Sequence, residues 1–258
     1  MEGRYPNGLL LALTNCNDAS KGDEYARWYN HIHFPDITAP GIFKHPIRFA
    51  NTDAHSPHGQ FAATYETDYE DAAIALSDNR EASAKLPPDG GRGSELIESV
   101  FVDVFKRTGG EFSTSVRPTR GILLVLSNCT DPSREEEFNR WYEDIHFPDI
   151  LNVGQFHTAY RYENVNPESS AKYLAIYETD NAGPADARKP HTKLMEGCGQ
   201  QGHLFSDMEV VSSRAARRVG RGWISRRHRR DAYLRLIQVA NSLHPTIGWA
   251  IIHRLVAV

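Results

Sequence analysis

One stretch of this chain is written twice: Arg27-Trp28-Tyr29-Asn30-His31-Ile32-His33-Phe34-Pro35-Asp36-Ile37 returns as Arg140-Trp141-Tyr142-Glu143-Asp144-Ile145-His146-Phe147-Pro148-Asp149-Ile150. Nine of the eleven positions are identical, and a single offset of 113 residues relates the copies. Solenoid repeats run to roughly 20–50 residues, so a period of this length marks a duplicated domain. Any fold and any site must therefore be sought twice.

The 258 residues, 40% hydrophobic and 24% charged, suffice for two domains that each bury a core. No apolar run reaches the roughly 18 residues of a membrane span, and Met1 to Asn7 lacks a secretory leader, which predicts a cytoplasmic location. Cys16, Cys129 and Cys198 are odd in number and match no close ligand spacing, against a disulfide framework or a zinc site. Cys16 and Cys129 are equivalent and read as small buried residues at strand ends. Charge divides the chain unevenly. Residues 212–258 hold ten arginines and one acid, Asp231, so the total of −4 leaves −13 on residues 1–211. An acidic body argues against nucleic acid as a partner of the core.

Each copy opens with an apolar run, Gly8 to Leu13 and Gly121 to Leu126, too short for an average helix and apolar on both faces. Such strands need cover on both sides: helices outside, and a packed or ligand-holding interior within. A helix comes next, with Asp131 as N-cap and Pro132 at its first position in the second copy, and Asp18 or Ser20 in the first. Tyr25, Trp28, Tyr29 and Ile32, like Phe138, Trp141, Tyr142 and Ile145, fall at i, i+3, i+4 and i+7, an aromatic stripe facing the sheet. Pro35 and Pro148 are expected to stop these helices, leaving His33 and His146 at a helix exit. Strands are predicted around 43–50 and 156–163, then 61–67 and 173–179, where Tyr65 and Tyr177 face one way and Glu66 and Glu178 the other. A second helix over 71–86 and strands at 100–105 and 204–211 complete each copy. The order strand, helix, strand, strand, helix, strand is ferredoxin-like. The chain thus divides into two α+β units, 1–107 and 119–211, with a linker at 108–118 and an arginine-rich extension over 212–258. The extension reads as loosely ordered, an amphipathic surface helix or an altered reading frame.

This pattern resembles the dimeric α/β-barrel superfamily, and the Trp-Tyr-x-x-x-His-x-Pro-Asp form of the first helix resembles its EthD-like, stress-responsive branch. The resemblance implies that the antiparallel sheets of the two units pack as an intramolecular pseudo-dimeric barrel, with further oligomerisation open. It also implies a pocket between sheet and helices for a small apolar or aromatic molecule.

His33 with Asp36, and His146 with Asp149, are the acid/base candidates: an imidazole transfers protons near neutral pH, and a carboxylate three residues on can hold its tautomer. The competing reading makes the same pairs helix and turn caps. Trp28, Tyr29, Tyr65, Trp141, Tyr142 and Tyr177 are candidate substrate-binding residues, or else core packing. Arg48 and Arg161, also 113 apart, read as solvated ion pairs or as clamps on a carboxylate or phenolate. A metal on His31, His33 and Asp36 is disfavoured because Asp144 replaces His31 in the second copy, and no cofactor is indicated. The expected activity is thus a cofactor-independent lyase, isomerase or cyclase. The alternatives are a non-catalytic ligand-binding or stress-associated barrel, then a haem-binding protein or a cofactor-independent oxygenase.

Overall fold

A computed structural model describes residues 1–53, 56, 58–85, 93–108, 115–187 and 204–220. The two doubly apolar runs become β1 (Gly8–Cys16) and β5 (Gly121–Cys129), each the second strand of a four-stranded antiparallel sheet. Their neighbours are β2 (Lys44–Asn51), β3 (Phe61–Thr67) and β4 (Ile97–Arg107) in the first unit, and β6 (Thr158–Asn164), β7 (Tyr173–Thr179) and β8 (Met208–Val219) in the second. The sheets run β4-β1-β3-β2 and β8-β5-β7-β6, and they join edge to edge through β2 with β8 and β4 with β6 into one closed barrel. Closure leaves no open sheet edge. Two ferredoxin-like units thus build a pseudo-dimeric barrel within one polypeptide.

Alternation decides which residues fill that barrel. Leu9, Leu11 and Leu13 meet Ile122, Leu124 and Leu126 inside it, together with Phe49, Tyr160, Tyr162 and Ile176. The opposite faces carry Leu10, Ala12, Ala63 and Tyr65 in one unit and Leu123, Val125, Ala175 and Tyr177 in the other, each packed under helices. Glu66 and Glu178 take the inward side, as the two-residue period requires. They are not left bare: the Met1 ammonium donates to Glu66 Oε1 at 2.9 Å, Arg4 Nε donates to its Oε2 at 2.8 Å, and the Glu2 amide donates to Glu178 Oε1 at 3.1 Å. Burial nevertheless raises the Glu178 pKa.

The strand β8 runs well past the expected 204–211. Residues 212–219, read from the sequence as the start of the extension, pair with β2 and β5. Arg214, Arg217 and Arg218 of the basic run thus belong to the barrel, and Arg214 is buried in it, with Nη2 on Ser212 Oγ at 2.8 Å and Nη1 on the His58 carbonyl. The rest of the extension, Cys198 and most of the linker lie outside the described residues. Cys16 is buried and Cys129 half-buried, both as free thiols. No described helix is long and apolar enough to cross a membrane.

The helices depart from expectation at one place. In the first unit α1 (Gly22–Trp28) passes through a π turn at Tyr29–His33 directly into α2 (Phe34–Thr38), and α3 (Ala72–Ala84) comes after β3. The second unit repeats this with α4 (Glu135–Trp141), a π turn at Tyr142–His146 and α5 (Phe147–Asn152). Pro35 and Pro148 therefore do not stop the helix. Phe34 N–H donates to the Tyr29 carbonyl and Phe147 N–H to the Tyr142 carbonyl, five residues back. The wider turn places each proline in the first turn of a new α segment, where a missing N–H costs little.

Candidate functional site

The π turn rearranges the face that the helix offers to the sheet. One extra residue in the turn rotates the downstream residues about the helix axis, so the stripe continues through the histidine rather than the isoleucine of the predicted i+7 position. Ile145 is 36% exposed, whereas His146 is 6% exposed. His33 is stacked on Trp28, ring centroids 4.9 Å apart, and meets the edge of Tyr29 at 4.7 Å.

In the first unit these side chains border a cavity of about 230 Å³ between the sheet and its helices. Leu10, Ala12 and Thr14 of β1 and Tyr65 of β3 form its floor, Tyr29, His33 and Ile37 one wall, and Leu76, Asn79 and Arg80 of α3 the other. Tyr65 Oη donates to Tyr29 Oη at 3.4 Å, and Thr14 Oγ1 shares a hydrogen bond of 2.8 Å with Tyr25 Oη. Asn79, 3% exposed, donates from Nδ2 to the Ile37 carbonyl at 2.9 Å and so pins α3 to the end of α2. Burial first, and the field of Arg48 second, lower the His33 pKa to about 4, so its ring is neutral at physiological pH.

Of the residues singled out from sequence, His33, Tyr29 and Tyr65 line this cavity and Trp28 backs the imidazole. Asp36 sits in the first turn of α2 with Oδ2 buried, and no hydrogen bond joins it to His33. In the second unit the residues that correspond to the α3 wall lie mostly outside the described residues. His146 is stacked on Trp141 at 4.5 Å and packs against Tyr142 and Tyr177, while Phe205 seats on Phe138 and Trp141. Asp149 occupies the first turn of α5. Thr14, Leu76, Asn79 and Arg80 were not found from sequence. The polar Asn79 on the buried Ala72-Ala75 face of α3 was the available signal. His31 is exposed, and among the described residues no cluster of His, Cys, Asp or Glu is placed to hold a metal ion.

Arg48 and Arg161 are not solvated, each being 1% exposed on the helix side of its sheet, and neither is ion-paired among the described residues. The Arg48 guanidinium carbon lies 4.9, 4.6 and 4.2 Å from the ring centroids of Tyr25, Tyr29 and Phe61. Arg161 repeats the cage with Phe138, Tyr142 and Tyr173 at 5.0, 3.6 and 4.4 Å. Ring faces offset part of the desolvation of a buried cation, by about 0.5–2 kcal/mol each. Burial lowers both arginine pKa values from the ordinary one, yet a guanidinium stays charged in proteins.

No protein-family profile matches the chain. A 58-residue stretch, 22% of this chain and 25% of the relative, is 41% identical to core atranone cluster protein 1 of Stachybotrys chlorohalonatus. Among solved structures, chlorite dismutase from Candidatus Nitrospira defluvii in complex with imidazole superposes with a TM-score of 0.58 at 8% identity, covering 85% of this chain and 94% of that one. A dye-decolorizing peroxidase from Bacteroides thetaiotaomicron gives 0.52 at 7% identity with the same coverages. At these identities the likeness establishes the ferredoxin-like α+β barrel and leaves chemistry to the site.

The neighbours are dismutases and a peroxidase, which overturns the expectation of a cofactor-independent lyase, isomerase or cyclase and moves weight to the ligand-binding and haem-binding alternatives. The first-unit cavity does not fit a haem. Its roughly 230 Å³ falls below the ~300–1,000 Å³ that drug-sized ligands fill, and a porphyrin is larger than most of these. A metal-bound imidazole is also oriented by a partner on its second nitrogen, and His33 has no hydrogen bond to either ring nitrogen among the described residues.

Proposed function

We propose that the protein is a ligand-binding α/β barrel whose first unit holds a compact, ring-bearing molecule in the sheet–helix cavity. The observation that carries this reading is the cavity itself: a mostly apolar lining that includes the hydrogen-bonded Tyr29–Tyr65 pair and His33. That is the usual composition of a small-molecule site, mostly apolar with a few orienting groups. In this reading the hydroxyl pair donates to or accepts from the ligand, and the neutral His33 beside it offers a second such group. Trp28 fixes the imidazole plane. The second unit serves as the other half of the barrel.

The repeated Trp-Tyr-x-x-x-His-x-Pro-Asp helix supports placing the chain in the EthD-like, stress-responsive branch of dimeric α/β barrels. The relative from an atranone cluster is compatible with a small organic ligand. Equilibrium dialysis of the full chain against 4-nitroanisole tests the reading. Saturable binding of one molecule per chain is expected, and Ala12→Leu, which adds side-chain volume on the cavity floor, is expected to abolish it while the Tm is retained. Absence of saturable binding, or binding indifferent to Ala12→Leu, rejects the proposal.

A further inference from the structure

The two aromatic cages look alike but are provisioned differently. In the second unit Arg161 Nη2 donates to Asn139 Oδ1 at 3.1 Å, and the carboxylates of Glu135 and Glu143 lie close enough for its field to act on both. Glu135 also accepts from Tyr173 Oη at 2.9 Å, which ties an acid to the cage wall. The aligned positions in the first unit are Ala26, Gly22 and Asn30. Arg48 accordingly has none of its three guanidinium nitrogens hydrogen-bonded among the described residues. The titratable groups acting on it most strongly are Tyr25, Tyr29, Tyr65 and Cys16, all neutral at pH 7. Buried cations are normally matched by a counter-charge. The arginine that lacks one packs on Tyr29, a lining residue of the first-unit cavity.

The lining of that cavity points the same way. It includes the exposed Arg80 and the neutral His33, and no carboxylate. Tyr29 faces the cavity while its ring lies 4.6 Å from the Arg48 guanidinium, so a ligand bonded to the Tyr29–Tyr65 hydroxyl pair sits one aromatic ring from a charge that water does not screen. From this we infer that the first-unit cavity selects an anion: a compact aromatic acid bound as its phenolate, enolate or carboxylate. Arg80 meets the charge at the cavity edge, and Arg48 is a positioning residue that biases the hydroxyl pair toward donating. This rests on the ligand-binding reading above and adds the charge of the ligand to it.

The test compares 4-nitrophenol with its neutral isostere 4-nitroanisole on the full chain between pH 6 and pH 9, a range in which His33 does not titrate. The phenolate is expected to bind about tenfold more tightly than the isostere, and the ionisation midpoint of bound nitrophenol, read from its visible absorbance, to fall by about one pH unit. Arg80→Gln should remove a few-fold of that preference and Arg48→Met most of it, each read as the ratio of phenolate to 4-nitroanisole affinity measured on the same variant. If Arg48→Met does not fold, the wild-type comparison and Arg80→Gln decide. Equal affinity for the two probes with an unshifted midpoint overturns the anion inference while leaving the cavity as a binding site. Binding of neither probe overturns the ligand-binding reading as well.

Discussion

Trp28 lies flat against His33, ring centroids 4.9 Å apart with 29° between the planes, and the pair sits at the end of a π turn rather than at a helix exit. The stack leaves the imidazole half-buried, and that burial sets the sign of its pH response. Burial holds the folded His33 pKa near 4 against an ordinary 6.5, so over that interval the unfolded chain binds a proton that the folded chain refuses. Stability is complete above about pH 6.5 and declines as the pH falls toward 4, by up to about 3 kcal/mol for the full shift. Glu178, whose pKa is raised, gives the opposite slope in the acid range. Urea midpoints of wild type and His33→Gln measured from pH 4 to pH 7 separate the two: the variant is expected to lose the His33 contribution, and parallel curves would reject it.

Asn79 is the hinge pin of the cavity wall. Its amide reaches the Ile37 carbonyl at 2.9 Å from a position 3% exposed, so removal leaves a buried carbonyl without that donor. Asn79→Ala is expected to cost about 1–3 kcal/mol in denaturant unfolding. It should also weaken 4-nitroanisole binding, because α3 is no longer fixed to α2. An unchanged midpoint would show that α3 is held by packing alone.

Much of the fold was legible because it arises from local chemistry. The two-residue and 3.6-residue periods placed β3 and β7 at their observed bounds, and the 113-residue offset announced two units. Pro35 misled because a proline after Phe34 reads as a stop, and nothing in the local sequence signals that the preceding turn is widened. Arg214 misled because it belongs to a basic run, although its neighbours Ala215 and Ala216 are buried with it in the strand. The arginine cages are a tertiary fact: Tyr25, Tyr29 and Phe61 lie far from Arg48 in sequence and close on it only in the folded chain. What packs on the repeated motif was equally hidden: Phe205 on Trp141 in the second unit, and the α3 wall of a cavity beside His33 in the first.

Gly8 and Gly121 open equivalent strands for a steric reason. A Cβ on Gly8 would stand 2.7 Å from Thr67 Cγ2 and 2.9 Å from Ala72 Cβ, and one on Gly121 would stand 2.7 Å from Pro184 Cβ and 3.2 Å from the Ala216 carbonyl oxygen. In each unit the chain leaving the third strand crosses directly over the start of the first. Gly8→Ala and Gly121→Ala are each expected to destabilise the fold by about 1–3 kcal/mol, with Gly121→Ala at the upper end because a backbone oxygen must move. Thermal unfolding of the two variants gives the comparison. A neutral result at either site would mean that the crossing yields more readily than these distances imply.

In the first unit, size and second-sphere support at His33 oppose a haem. His33 would be the residue to hold the iron in the first unit, and its ring already packs on the face of Trp28 and the edge of Tyr29 beside a cavity of about 230 Å³. Admitting a macrocycle would require α3 to leave the sheet, breaking the bond from Asn79 to Ile37 and exposing the apolar floor at Leu10 and Ala12. That loss would have to be recovered from a single coordination bond whose histidine lacks an orienting partner. Titration of the full chain with hemin is therefore expected to give a visible spectrum that His33→Gln leaves unchanged. A saturable one-to-one Soret band that disappears in His33→Gln would show instead that α3 opens, and would return the first unit to the haem-binding alternative.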